Sequence, residues 1–251
     1  MRVSFLGTGT SVGVPTVGCD CQTCLSTDPR DKRLRASILI EHQGNQILVD
    51  ASTDFRQQAL RIGLDRLDSI LFTHAHADHC FGLDDARPIM FRRGPIACFA
   101  TETTWNGLRR VYSYAFEPGS KPGIPRIVPH RIEGEFNLLG LDVDPLAVIH
   151  GGLEVTAYRF GALAYVTDCN LIPDEACARL RGLDLLIIDA LRFKTHPTHM
   201  TVDAALGYIE RLRPQRALLT HISHDIMHHQ TSTSLPANVE IAYDGLQVDV
   251  D

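Results

Sequence analysis

Thr73-His74-Ala75-His76-Ala77-Asp78-His79 sets three imidazoles and a carboxylate within six residues, directly after the apolar run Ser69 to Phe72. Packing a core does not call for such a segment. If Ser69 to Thr73 is a buried strand, the chain leaves it extended, and His74 and His76, two apart, point to the same side. Asp78 and His79 follow where a helix would begin, so they turn toward a second point nearby. Neutral imidazole and carboxylate together suit zinc, manganese or iron, and two ligand pairs so close suggest two ions rather than one. A polar loop with surface histidines would leave the rest of the pattern unexplained. Val148-Ile149-His150-Gly151-Gly152, Ala164 to Asp168 and Leu218 to His221 each carry an apolar run onto a histidine or aspartate, as the run to His74 does.

A second cluster lies near the start, at Cys19-Asp20-Cys21-Gln22-Thr23-Cys24. The chain has seven cysteines, an odd number with three crowded together, which does not describe a disulfide framework. Thiolates this close are readily bound by zinc in tetrahedral geometry, and a fourth ligand is then required; three buried free thiols is the alternative. A zinc-binding loop at about 16–35 is expected on this reading.

The remaining sequence supports one α/β domain over residues 1–251, with 44% hydrophobic and 22% charged residues. A net charge of −6 gives no general attraction to polyanions, so nucleic acid is not the expected partner. No apolar run has membrane-spanning length, and Met1-Arg2 leads straight into the strand-like Val3 to Leu6. A cytoplasmic protein is expected, with no membrane partner and with a homodimer left open.

Ser37 to Glu41 and Gln46 to Asp50 predict a hairpin, Phe55 to Gly63 and Thr103 to Tyr114 helices, and Ile96 to Ala100 a strand. Arg30 to Arg35 reads as a solvated basic face. The Gly- and Pro-rich stretch 117–125 reads as a loop over the site or as a plain connection. Leu185 to Asp189 is a further strand and Asp203 to Leu212 a helix, with two histidines, His196 and His199, in the loop between them. Val239 to Val250 reads as a closing hairpin turning at Asp244-Gly245. Cys80 is expected to be a packed thiol; His42, His130, His228 and His229 are expected to be structural or surface residues.

His-x-His-x-Asp-His after a strand resembles the signature of the metallo-β-lactamase superfamily. The resemblance implies a four-layer αββα sandwich in which two βα halves set their strand ends around one cleft. It implies that His74, His76 and His150 bind one divalent ion, that Asp78, His79 and His221 bind another, and that Asp168 bridges them. Asp50 would support the metal loop through hydrogen bonds without being a ligand. More narrowly, Gly-Cys-x-Cys-x-x-Cys, Thr-His-Ile-Ser-His at 220–224 and a histidine ahead of a helix are similar to the PhnP family, phosphodiesterases of the carbon-phosphorus lyase pathway. That similarity implies a structural zinc on Cys19, Cys21, Cys24 and His224. It also implies a catalytic His199 that protonates the leaving oxygen, with Asp78 the other catalytic residue.

The implied activity is hydrolysis of a small phosphodiester, such as a cyclic ribosyl one, by a hydroxide bridging two ions, manganese foremost and zinc or iron as alternatives. A tRNase Z-like ribonuclease shares these ligands, but the chain shows no long inserted arm and is acidic. A protein of the pyrroloquinoline-quinone biosynthesis type shares the cysteine cluster. A thioesterase would lack that cluster, and a diiron redox protein would carry glutamate in place of His76. A non-catalytic metal-stabilised binding module would hold seven ligands for no chemistry.

Overall fold

The computed structural model describes residues 1–116 and 123–250. Two seven-stranded sheets lie face to face. The first holds β1 (Arg2–Gly7), β2 (Ser37–His42), β3 (Asn45–Val49), β4 (Ser69–Leu71), β5 (Ile96–Ala100) and β6 (Ile127–Arg131). The second holds β7 (Phe136–Leu138), β8 (Leu141–His150), β9 (Leu153–Phe160), β10 (Leu163–Val166), β11 (Leu185–Asp189), β12 (Arg216–Thr220) and β13 (Val239–Ile241). The chain then returns to the first sheet as β14 (Gln247–Asp249), beside β1. Its helices are α1 (Gln22–Leu25), α2 (Phe55–Ile62), α3 (Ala77–Cys80), α4 (Arg87–Arg93), α5 (Glu102–Val111), α6 (Ser113–Phe116), α7 (Asp174–Arg179), α8 (Val202–Leu212) and α9 (His228–Ser232).

Strand alternation explains the layering. Ile38, Ile40, Ile47 and Val49 face inward against Tyr158, Phe160, Tyr165 and Ile187 of the other sheet. The residues between them face outward: Leu39 and Leu48 pack under Phe55, Trp105 and Leu108 of α2 and α5, and Ile188 and Leu219 under Ala205 and Ile209 of α8. Because both faces of each sheet are covered, the central strands read as unbroken apolar runs. This is the expected αββα sandwich.

The parallel pairing also sets up the site. Val166 lies opposite Ile188 and Ile188 opposite Leu219, so Asp168, Asp189 and His221 emerge together at one sheet edge. Val49 lies opposite Leu71 in the first sheet, so Asp50 emerges next to the segment leading to His74. Ligand sites in parallel sheets lie at such carboxyl ends.

The closing hairpin does not form. Although its two halves read as strands, β13 pairs parallel with β12 and β14 pairs antiparallel with β1, so the segment crosses from one sheet to the other. The turn at Asp244 is fixed by other partners: its carboxylate accepts from Thr8 Oγ1 and from Leu34 N, each at 2.8 Å. The solvated basic face at Arg30 to Arg35 is also corrected at one position. Arg33 is 2% exposed and donates to Thr8 Oγ1 at 2.8 Å and to the Ala242 carbonyl at 2.6 Å, tying the N-terminal loop to the crossing segment. The helix expected at Thr103 to Tyr114 divides into α5 and α6 at Tyr112, whose buried hydroxyl donates to the Cys80 carbonyl at 2.8 Å. Of the loop expected at 117–125, residues 117–122 lie outside the described residues.

Candidate active site

The His-rich loop leaves β4 and is pinned from both sheets. Tyr158 Oη donates to the Phe72 carbonyl at 2.7 Å and Thr156 N to the Thr73 carbonyl at 3.0 Å. Asp50, wholly buried, accepts from Thr73 N and Thr73 Oγ1 at 2.8 Å and from His79 Nδ1 at 2.7 Å. With its hydrogen given to Asp50, the Thr73 hydroxyl can only accept from His74 Nδ1, at 2.9 Å. His150 Nδ1 donates to the Thr198 carbonyl at 2.8 Å. In each ring one nitrogen is therefore committed, and the other is left to face the cleft.

Two donor groups result. His74, His76, His150 and Asp168 offer atoms within 4.8 Å of one another, and so do Asp78, His79, Asp168 and His221. Asp168 belongs to both, and also to a third, overlapping group with Asp189, His199 and His221. Its Oδ1 lies 3.1 Å from His221 Nε2, and its Oδ2 lies 3.2 Å from His79 Nε2 and 3.7 Å from His74 Nε2. The buried Nε2 atoms of His74, His79 and His221 have no hydrogen-bond partner among the described residues. Orphaned ring nitrogens converging at ligand-to-ligand spacing fit metal ions better than a hydrogen-bond network. Of the five histidines in these two groups, His76 alone is exposed, which marks the open side of the cleft.

The charges argue the same way. Burial opposes ionisation of Asp168, yet His221 and His79 hold its carboxyl far below the usual range. Burial would likewise keep His221 neutral, but Asp168 and Asp78 pull it up to about 9. His79 is likewise raised, whereas burial lowers His74 and His150; the Asp78, His79, Asp168 and His221 half is thus short of positive charge, which a divalent cation would supply, and the other half offers neutral imidazoles. Asp50, Asp168 and His221 all have left-handed backbone, with φ of 63°, 51° and 59°. Strain of this kind at three strand ends is a mark of a preorganised site.

His199 stands over both groups, its ring centroid 4.6 Å from those of His150 and His221. Its Nδ1 pairs with Asp189 Oδ2 at 2.8 Å. Asp189, wholly buried, was given no role from sequence, although β11 ends on an acid just as the run to Asp168 does. His196 lies 5.1 Å from His199. Gly151 lets the loop come this close, since a Cβ there would sit 2.7 Å from Thr198 Cγ2. Beside His74 and His76 opens a cavity of about 350 Å³, walled by Thr103, Asn106 and Arg110 of α5 and by Glu154.

Away from the cleft, Cys19, Cys21, Cys24 and His224 come together. The three sulfurs lie 3.1, 3.6 and 3.6 Å from His224 Nδ1. Tetrahedral zinc, with bonds of about 2.3 Å to sulfur and about 2.0 Å to nitrogen, requires an edge of about 3.5 Å. The main-chain N–H of Cys24 brings the Cys21 thiol down to about 7, toward the thiolate that zinc takes, whereas burial pushes the Cys24 thiol up to about 11, so the fit rests on the spacing and the donor types. The donor set fits that ion.

The β-lactamase superfamily domain model matches residues 45–222. The chain belongs to the metallo-β-lactamase superfamily. Within it, a crystal structure described as a new diphosphatase from the PhnP family is 43% identical, over 100% of this chain and 98% of that one, with a TM-score of 0.94. Zinc-bound PqqB from Methylobacterium extorquens shares the fold at a TM-score of 0.79 and 20% identity, over 100% of both chains. An octanoyltransferase of Porphyromonas gingivalis is 40% identical over 256 residues, covering 100% of this chain and 52% of that protein, so the chain spans about half of that relative's length. The chain is thus a metallo-β-lactamase-superfamily protein similar to the PhnP-family diphosphatase.

Proposed function

We propose that the protein is a two-metal phosphodiesterase acting on a small phosphodiester. The observation that carries this reading is Asp168, shared between two converging donor groups with His199 poised over both. His74, His76 and His150 would hold one ion and Asp78, His79 and His221 the other, with manganese foremost and zinc or iron as alternatives. Such a pair, when bound, activates water, clamps phosphate oxygens and screens the charge of in-line displacement. Asp50, Thr73 and the Thr198 carbonyl keep the rings aimed. Asp189 holds His199 Nδ1, so His199 presents Nε2 to the cleft, gives its proton to the departing oxygen and has its positive charge met by the buried carboxylate. The Cys3His cluster would hold a structural zinc.

The similarity to a PhnP-family diphosphatase supports phosphoester chemistry. A cavity of about 350 Å³ suits a small substrate. The name octanoyltransferase belongs to a protein about twice as long, of which this chain covers 52%.

The test compares leaving groups. With an alkyl phosphodiester, His199→Ala should lose roughly a hundredfold in turnover, the usual size of general acid catalysis. With bis(p-nitrophenyl) phosphate, whose phenolate leaves unaided, the loss should be much smaller at unchanged metal content. Equal losses would make His199 a binding group, and a wild-type protein that cleaves thioesters or RNA but no simple diester would overturn the reading.

A further inference from the structure

The loop that carries His196 and His199 is closed at its neck by backbone hydrogen bonds and held within by side chains alone, at Thr198 by His150 and at His199 by Asp189. Leu191 N donates to the Met200 carbonyl and Val202 N to the Arg192 carbonyl, each at 3.0 Å. Between them, residues 193–199 make no backbone-to-backbone hydrogen bond among the described residues. Such a segment has no intrinsic reason to hold one shape, and its conformational entropy works against it.

Arg192 supplies what the backbone does not. Its side chain folds back into the loop, Nε donating to the Lys194 carbonyl and Nη2 to the Thr195 carbonyl, both at 3.1 Å. Two consecutive carbonyls are held by one planar fork, a geometry lysine cannot reproduce. The remaining nitrogen, Nη1, lies 4.0 Å from Asp225, the neighbour of His224, and Ser223 N donates to the Leu191 carbonyl at 3.0 Å. The loop is therefore clasped to the segment that runs from His221 to the Cys3His cluster. The Arg192–Asp225 pair is half open to water and contributes little by itself; the two carbonyl bonds matter more.

We propose that Arg192 is a positioning residue, which fixes the loop so that His199 meets the leaving oxygen, and that it does not bind substrate. The proposal rests on the phosphodiesterase reading for its kinetic part and is independent of it for its structural part. In Arg192→Met, hydrogen exchange of the neck amides of Leu191 and Val202, which are hydrogen-bonded across the base of the loop, should speed up about tenfold or more, while metal content stays at the wild-type level. Turnover of an alkyl phosphodiester should fall about tenfold with little change in KM, and bis(p-nitrophenyl) phosphate should be affected much less. Because the residue acts through His199, adding Arg192→Met to His199→Ala should cost no more than His199→Ala alone. Arg192→Lys, a milder change that also serves if the methionine variant folds poorly, should recover part of the loss. Unchanged exchange of the Leu191 and Val202 amides overturns the proposal whatever the activity. So do additive losses in the double variant, or a raised KM on both substrates, which would put Arg192 in contact with substrate. A wild-type protein inactive on diesters would defeat the phosphodiesterase reading, while the exchange measurement would still decide the role of Arg192.

Discussion

A buried carboxylate costs several kcal/mol unless its charge is met, and Asp168 is 2% exposed with three imidazole nitrogens within 3.7 Å. Its placement between two donor groups predicts an asymmetry. Asp168→Ala should weaken metal binding at both sites, whereas His150→Ala should weaken mainly one; titration with metal analysis separates the two, and a fully loaded Asp168 variant would remove it from the shared position. Local sequence made most of this cluster legible, because His-x-His-x-Asp-His and the strand-ending His150, Asp168 and His221 are chemically unusual where they stand. Asp189 was not legible. One aspartate after an apolar strand has no partner in sequence, and only the parallel register of β10, β11 and β12 brings it beneath a histidine ten residues on.

At the scale of elements, α5 is held against the metal loop at Gly107. A Cβ there would lie 2.4 Å from Ala75 Cβ, between His74 and His76. Gly107→Ala gains about 1 kcal/mol of helix propensity and should nevertheless destabilise the fold, since overpacking costs about 1–3 kcal/mol. Thermal melts and metal titration should show lower stability and weaker binding; a stabilised variant with unaltered affinity would mean that the helix yields freely. A second prediction concerns α9. Burial, then the charges of Arg33 and Arg30, lowers His228 from 6.5 to about 4. The unfolded chain then binds the extra proton first, so this contribution is intact above pH 6.5 and fades as pH falls toward 4. Urea melts across that window should show His228→Gln losing less stability than wild type on acidification; parallel curves would contradict the assignment. The hairpins and helices were readable from alternation and turn residues, while β13 and β14 were not. A short strand pair around Asp-Gly looks the same whether its halves join each other or two different sheets, and the buried Arg33 and Asp244 that decide the matter are distant in sequence.

Across the whole molecule, the ligands are divided between the two sheets. His74, His76, Asp78 and His79 follow β4, whereas His150, Asp168 and His221 end strands of the other sheet, so neither sheet holds a complete donor group. On the two-metal proposal, metal binding and the packing of the sandwich are therefore linked, and stripping metal should lower the melting temperature. The Cys3His cluster adds a separate link between residues 19–24 and His224. Cys21→Ser should release one tightly held zinc and lower the melting temperature while leaving the seven cleft ligands in place; an unchanged melt would remove the cluster from a structural role. The sandwich could be expected from sequence because the loop signature resembles that of a superfamily with this fold, and three strand-end ligands fit its shared cleft, whereas the loop clasp at Arg192 depends on side-chain geometry that no spacing encodes. The most direct measurement is a manganese titration of protein stripped of its cleft metals, with bound metal and hydrolysis of bis(p-nitrophenyl) phosphate followed together. Turnover should emerge as the second of two cleft ions binds, and full turnover with one ion or with none would contradict the two-metal account.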